Sequence, residues 1–78
     1  MRGSKTDEAY TGLANAIILQ AVRDYRKALR KLKKNPKDKE TMREAMQIEG
    51  FFRTEFYQVL TAVDGEYLIS KLREEASE

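Results

Sequence analysis

The stretch Ala14–Lys34 (ANAIILQAVRDYRKALRKLKK) restricts the possible folds more than any other part of this chain. Set at about 100° per residue, Ile18, Val22, Tyr25, Leu29 and Leu32 fall on one side, with Ala14, Ala21 and Ala28 beside them. Arg23, Arg26, Lys27, Arg30, Lys33 and Lys34 fall on the opposite side. An apolar side this continuous must be covered by the rest of the chain, which leaves the cationic side facing water. The pattern predicts one long amphipathic helix on which the remaining segments pack.

Segments before and after this helix follow from local chemistry. Residues 1–7 (MRGSKTD) are small and polar and are expected to fray, and Met1-Arg2-Gly3-Ser4 is given no part in the fold. Thr6 or Asp7 suits a helix N-cap, while Gly12 weakens the first turns by about 1 kcal/mol relative to alanine, so firm helix is expected from Leu13. The helix should stop at Asn35-Pro36, because a residue before proline avoids the α region. Asn35-Pro36 can serve as cap and first position of the next helix, and Asp38 with Glu40 in the first turn serves at least as well. Either choice makes the connection short, so the second helix should return antiparallel to the first.

From Lys39 onward a second stripe recurs at steps of three or four: Met42, Ala45, Ile48, Phe52, Phe56, Val59 and Val63. Gly50 lies within it, and Thr54-Glu55 would make a new N-cap, so one kinked helix and two helices broken near Phe52–Thr54 both fit. Asp64-Gly65-Glu66 reads as a stop followed by a cap. A last helix would turn Tyr67 or Leu68, Ile69 and Leu72 inward before the acidic tail, 75–78, frays. The expected fold is all-α, a single helical domain over 1–78: an antiparallel helical hairpin plus a shorter C-terminal helix, three to four helices in all.

Seventy-eight residues lie near the lower limit for a core that stands alone. The chain has no cysteine and no histidine, so a disulfide framework, a thiol nucleophile and the commonest general base are all missing. Neither a Gly-rich phosphate loop nor a nucleophile elbow nor a zinc spacing occurs, and the paired acids Glu40/Glu44 and Glu74/Glu78 sit on expected solvent faces. These absences argue for a non-catalytic protein without metal or cofactor and give no sign of a small-molecule substrate. The longest nearly uncharged run, Tyr10–Val22, is too short and too polar to span a bilayer, and no secretory pattern opens the chain; a cytoplasmic protein is expected.

The net charge of +2 conceals an asymmetry. Residues 23–39 carry nine Lys/Arg against two Asp, whereas residues 40–78 carry four Lys/Arg against nine acids. Clustered cations attract phosphate backbones because neutralising phosphates releases condensed counterions. Candidate nucleic-acid contacts are therefore Arg23, Arg26, Lys27, Arg30, Lys33, Lys34 and Lys37. The same stripe also fits a plain solvated face, contact with an acidic protein or membrane surface, or neutralisation by the acidic second half, within one molecule or across a dimer. Among the aromatics, Phe52 and Phe56 belong to the apolar stripe and are expected in the core. Phe51 and Tyr57 point to other sides, and one of them exposed beside Met46 would mark a protein-contact or dimer surface.

Three segments, Ala16–Arg26 (AIILQAVRDYR), Ile48–Phe56 (IEGFFRTEF) and Leu60–Ile69 (LTAVDGEYLI), resemble small proteins of unknown function encoded by bacteriophages and integrated mobile elements of Gram-positive bacteria. The likeness covers roughly residues 13–73. It implies a mobile-element setting and supplies no catalytic residues. Phe56 stands where such proteins often carry tryptophan, and Gly50 where a charged residue is commoner, which implies a locally weaker second helix. Together these readings lead to an accessory protein that binds nucleic acid through its first helix. The alternative is a protein–protein interaction module or homodimer with no nucleic-acid role, a host protein among the possible partners.

Overall fold

The computed structural model describes residues 2–78, with side chains from Thr11 onward. The chain is all-α, with four helices in the order α1 (Arg2–Lys34), α2 (Lys39–Phe52), α3 (Glu55–Leu60) and α4 (Gly65–Ala76). Helix α1 is the spine. Thirty-three residues at about 1.5 Å each make a rod of roughly 50 Å, which accounts for the 53 × 23 × 17 Å envelope. Helices α2 and α4 pack along its C-terminal part, and α3 lies against it further toward the N-terminus, so no element of the chain matches its full length.

The α1 backbone is already helical at Arg2, so the fraying expected over residues 1–7 stops short; Met1 and the side chains of the expected Thr6/Asp7 cap lie outside the described residues. Once a long helix is nucleated, each added residue costs little, and one glycine does not stop it. At the other end Asn35 N–H still bonds to Lys31 C=O at 2.8 Å, after which Pro36 ends the run. Asp38 is the cap that begins α2: its carboxylate accepts from Thr41 N–H at 3.2 Å and from the Thr41 hydroxyl at 2.8 Å. Those bonds hold its carboxyl below the usual range, with the Thr41 hydroxyl the largest cause.

The second stripe is broken, not kinked. Arg53 (φ −100°, ψ 0°) ends α2 and Thr54 (φ −81°, ψ 159°) starts α3. The Thr54 hydroxyl donates to Phe51 C=O at 2.7 Å and accepts from Tyr57 N–H at 3.1 Å, closing one helix and opening the next. This break turns the register. Tyr57 swings fully inside, while Phe56 is 55% exposed, Val59 82% exposed, and Val63 also faces solvent, as does Met42 on α2. The core assignment of Phe56, Val59 and Val63 is thereby corrected, because the stripe extrapolated through Phe52 assumed one continuous helical phase; Met42, ahead of the break, is corrected for another reason, since the buried line of α2 runs through its neighbour Thr41 and Ala45.

Val22, Tyr25 and Ala28 of α1, Ala45 and Phe52 of α2, Tyr57 of α3, and Ile69 and Leu72 of α4 form the core, with Ile18, Ala21, Leu29, Leu32, Ile48, Phe51 and Leu68 packed around it. Its centre is aromatic. Phe52 meets Tyr25 edge-on at 5.8 Å between centroids and Tyr57 at 5.6 Å, geometries that suit the ring quadrupoles. Asp64 caps α4 by accepting from Tyr67 N–H at 2.9 Å, leaving Tyr67 exposed. Gly65, the first residue of α4, is pressed against the end of α2, where a Cβ would overlap the Phe52 carbonyl oxygen. Only a hydrogen on the α-carbon permits that approach. The tail is docked where fraying was expected: Ser77 N–H bonds to Arg73 C=O at 3.1 Å, and Glu75 and Glu78 are held against α1.

Candidate nucleic-acid interface

With the apolar side of α1 facing α2, α3 and α4, its opposite side is left to solvent. Arg23, Arg26, Lys27, Arg30, Lys33 and Lys34 are all exposed, as is Lys37 in the turn between α1 and α2. The structure divides them into two rows. Arg26 and Lys33 lie on the α4 side and are engaged by the acidic end of that helix. Arg26 makes a two-pronged pair with Glu75, Nε to Oε2 at 2.8 Å and Nη2 to Oε1 at 3.1 Å, and Lys33 Nζ donates to the Glu78 main-chain oxygen at 3.0 Å.

Arg23, Lys27, Arg30 and Lys34 form the second row. Their spacing of four, three and four residues puts them on one line along α1, over roughly 16 Å. None of the four forms an ion pair among the described residues. The lysine-rich last turn also suits the negative end of the helix dipole, so part of this charge stabilises α1 itself. Lys31, not among the sequence candidates, lies nearer α2. It is exposed on the flank that faces Glu40, Arg43 and Glu44.

A buried polar cluster, not anticipated from the sequence, fixes the orientation of this face. The Tyr25 hydroxyl donates to Glu49 Oε2, Arg73 Nη2 donates to the same oxygen at 2.7 Å, and Arg73 Nε donates to the Tyr25 oxygen at 3.3 Å. Arg53 stands 3.7 Å from the other Glu49 oxygen and also pairs with Glu66. One carboxylate thus ties α1, α2 and α4 together. Burial pushes the Glu49 carboxyl up, but the hydrogen bonds from Tyr25 and Arg73 outweigh it and hold the group below its ordinary value. Burial, reinforced by Glu49, pushes the Tyr25 hydroxyl up to about 12. The cluster's sequence signal was slight: Glu49 falls four residues after Ala45 and three before Phe52, on the buried side of α2.

Of the candidate protein-contact residues, Met46 is exposed, Phe51 is half-buried and Tyr57 is completely buried. Tyr57 is therefore out of reach of any partner, whereas Phe56, next to it in sequence, is exposed. The Phe51 and Phe56 rings lie 6.3 Å apart and the Phe51 and Tyr57 rings 5.9 Å apart, so the exposed ring sits on a packed aromatic base. Among the described residues, no group of three or more His, Cys, Asp or Glu could hold a metal ion, and no helix is long and apolar enough to cross a membrane. Comparison with protein-family models, with curated proteins and with solved structures finds no match for this chain.

Proposed function

We propose that the chain is a small, non-catalytic accessory protein that binds nucleic acid through the outer row of α1. The observation that carries this reading is the line Arg23, Lys27, Arg30 and Lys34: four exposed cations, spaced to one side of a rigid helix, with no ion-pair partner among the described residues. An α-helix fits the major groove of duplex DNA, and a cation row of this length can reach phosphates along one strand. Lys37 extends the row past the end of the helix. The likeness to phage and mobile-element proteins supports such a setting, a cytoplasmic one.

Titrating a labelled duplex and a labelled single strand at 50 and 200 mM salt tests the proposal. Four phosphate contacts on a duplex give a log–log slope near −3.6, so affinity should fall roughly 150-fold over that interval. The double variant Lys27→Glu/Arg30→Glu, both exposed, should abolish binding without loss of helix content. Binding that is absent at 50 mM, or that survives the double charge reversal, overturns the reading.

Contact with another protein chain is a second reading, favoured by the apolar side chains left in solvent on α2 and α3: Met46, Phe56 and Val59.

A further inference from the structure

The cations of α1 do not share the same surroundings. Set at about 100° per residue, Arg23, Lys27, Arg30 and Lys34 fall within an arc of roughly 60°. Arg26 and Lys33 stand about 70–90° from the middle of that arc, on the side where α4 lies. There α4 runs alongside α1 in the same direction: Arg73 meets Tyr25, Glu75 meets Arg26, and Glu78 meets Lys33.

The acidic end of α4 is fixed in place by bonds other than those to the cations. Ser77 N–H bonds to Arg73 C=O at 3.1 Å and its hydroxyl donates to Glu74 C=O at 2.9 Å, which closes the last turn. Upstream, Arg73 anchors the helix to Tyr25 and Glu49, and Ile69 and Leu72 lie in the core. A Glu75 carboxylate displaced from Arg26 would therefore remain close by.

Two observations make this end a competitor of phosphate. A guanidinium takes a carboxylate or a phosphate by the same two-pronged approach, and both prongs of Arg26, Nε and Nη2, are given to Glu75. An open depression of about 520 Å³ also lies between the ends of α1 and α4. Arg30 and Lys34 of the outer row line it together with Lys33, Glu75 and Glu78. A phosphate entering from the outer row thus meets two acidic residues.

We propose that the acidic end of α4 is an autoinhibitory strap: it occupies Arg26, crowds the approach to Lys33, and confines a phosphate backbone to the outer row. The inference rests on the phosphate-binding reading of α1 and adds what limits that site. A phosphate that reached Arg26 would lie against the carboxylate it had displaced. The parent chain accordingly binds with four contacts, and weakening the strap recruits a fifth.

Duplex titrations at 50 and 200 mM salt, on the full parent chain, Glu75→Gln and Glu74→Gln, test this. Both variants remove one negative charge, but Glu74 pairs with Lys71 of its own helix and is not among the residues lining the depression. Glu75→Gln should steepen the log–log slope from about −3.6 to about −4.5. If the fifth contact contributes nothing at 1 M salt, it raises affinity about 15-fold at 50 mM and about 4-fold at 200 mM. Glu74→Gln should leave the slope at the parent value, and all three chains should keep the same helix content by circular dichroism. Equal slopes and affinities in the parent and Glu75→Gln overturn the strap while the phosphate row stands. So does an equal gain in the two variants, which would reduce the effect to net charge, and so does a parent slope already near −5.4, the value for six contacts. No binding by any of the three overturns the phosphate row itself, and the strap with it.

Discussion

Replacing Tyr25 with phenylalanine removes one oxygen from the centre of the bundle and leaves every apolar contact of the ring in place. That oxygen donates to the Glu49 carboxylate, and a hydrogen bond to a charged acceptor contributes about 1.5–3 kcal/mol. Glu49 keeps Arg73 at 2.7 Å and Arg53 at 3.7 Å in the variant, so it is not stranded, and about 2 kcal/mol is the expected loss. For a domain of this size that loss lowers Tm by roughly 8–16 °C. Glu49→Leu should cost a similar amount because it leaves the fully buried Tyr25 hydroxyl without its acceptor, while the half-exposed Arg73 turns outward. Both changes together replace polar partners with apolar ones, so the double variant should be about 1.5–3 kcal/mol more stable than additivity requires. Urea unfolding followed by far-ultraviolet circular dichroism measures all four corners of the cycle. The sign with pH is also fixed. Because the folded-state carboxyl of Glu49 lies below its usual value of 4.5, its contribution is present above that value and fades as the carboxyl protonates at lower pH. The gap between the parent chain and Glu49→Leu should therefore narrow in acid. Strictly additive single variants, or a gap that widens in acid, would refute the role given to this cluster.

The remaining expectations concern single positions. Tyr57 is buried with its hydroxyl unpaired among the described residues, so Tyr57→Phe should leave stability unchanged or raise it by about 1 kcal/mol. A clear loss in chemical denaturation would show that the hydroxyl has a partner. Gly50 sits in mid-helix with open space around its α-carbon, and Gly50→Ala should raise stability by about 1 kcal/mol; Gly65→Ala, driven into the Phe52 carbonyl, should lower it by about 1–3 kcal/mol, and thermal melts separate the two. Glu75→Gln releases Arg26 from its carboxylate; both side chains are about half exposed, so Tm should barely move while the salt dependence of duplex binding steepens by about one ion. As pH rises from 10.0 toward about 12, the raised Tyr25 hydroxyl should withdraw its stabilising contribution, and Tyr25→Phe should lose less stability over that interval.

How far residues alone reveal this architecture depends on whether their information is local. The buried side of α1 was legible because Val22, Tyr25, Ala28, Leu29 and Leu32 repeat at helical spacing with no break. Asp64 was legible as a cap, and Asp38 as one of two candidates beside Asn35, because a short acidic side chain ahead of an amphipathic run has few other uses. Past Phe52 the same spacing argument failed. Two non-helical residues, Arg53 and Thr54, rotate α3 relative to α2, and spacing carried across such a break assigns the wrong side chains: Tyr57 took the inward place given to Phe56. The Tyr25–Glu49–Arg73 cluster was out of reach for another reason. Its members stand 24 residues apart along the chain, and only the packing of three helices brings them together. The seven candidate cations were identified by type, and six of them stand on the helix itself. Their division into a free row and a row held by the α4 tail depends on Glu75 and Glu78, which the sequence placed in a frayed end.

The central claim is that the side of α1 turned away from the core is a phosphate-binding row. Backbone amide shifts of labelled protein, followed as a short duplex is added at low salt, test it residue by residue. The account requires the largest changes at Arg23, Lys27, Arg30, Lys34 and Lys37, with the core amides of Phe52 and Ile69 unmoved. Changes confined to α3 and α4, or none at all at saturating duplex, would contradict it.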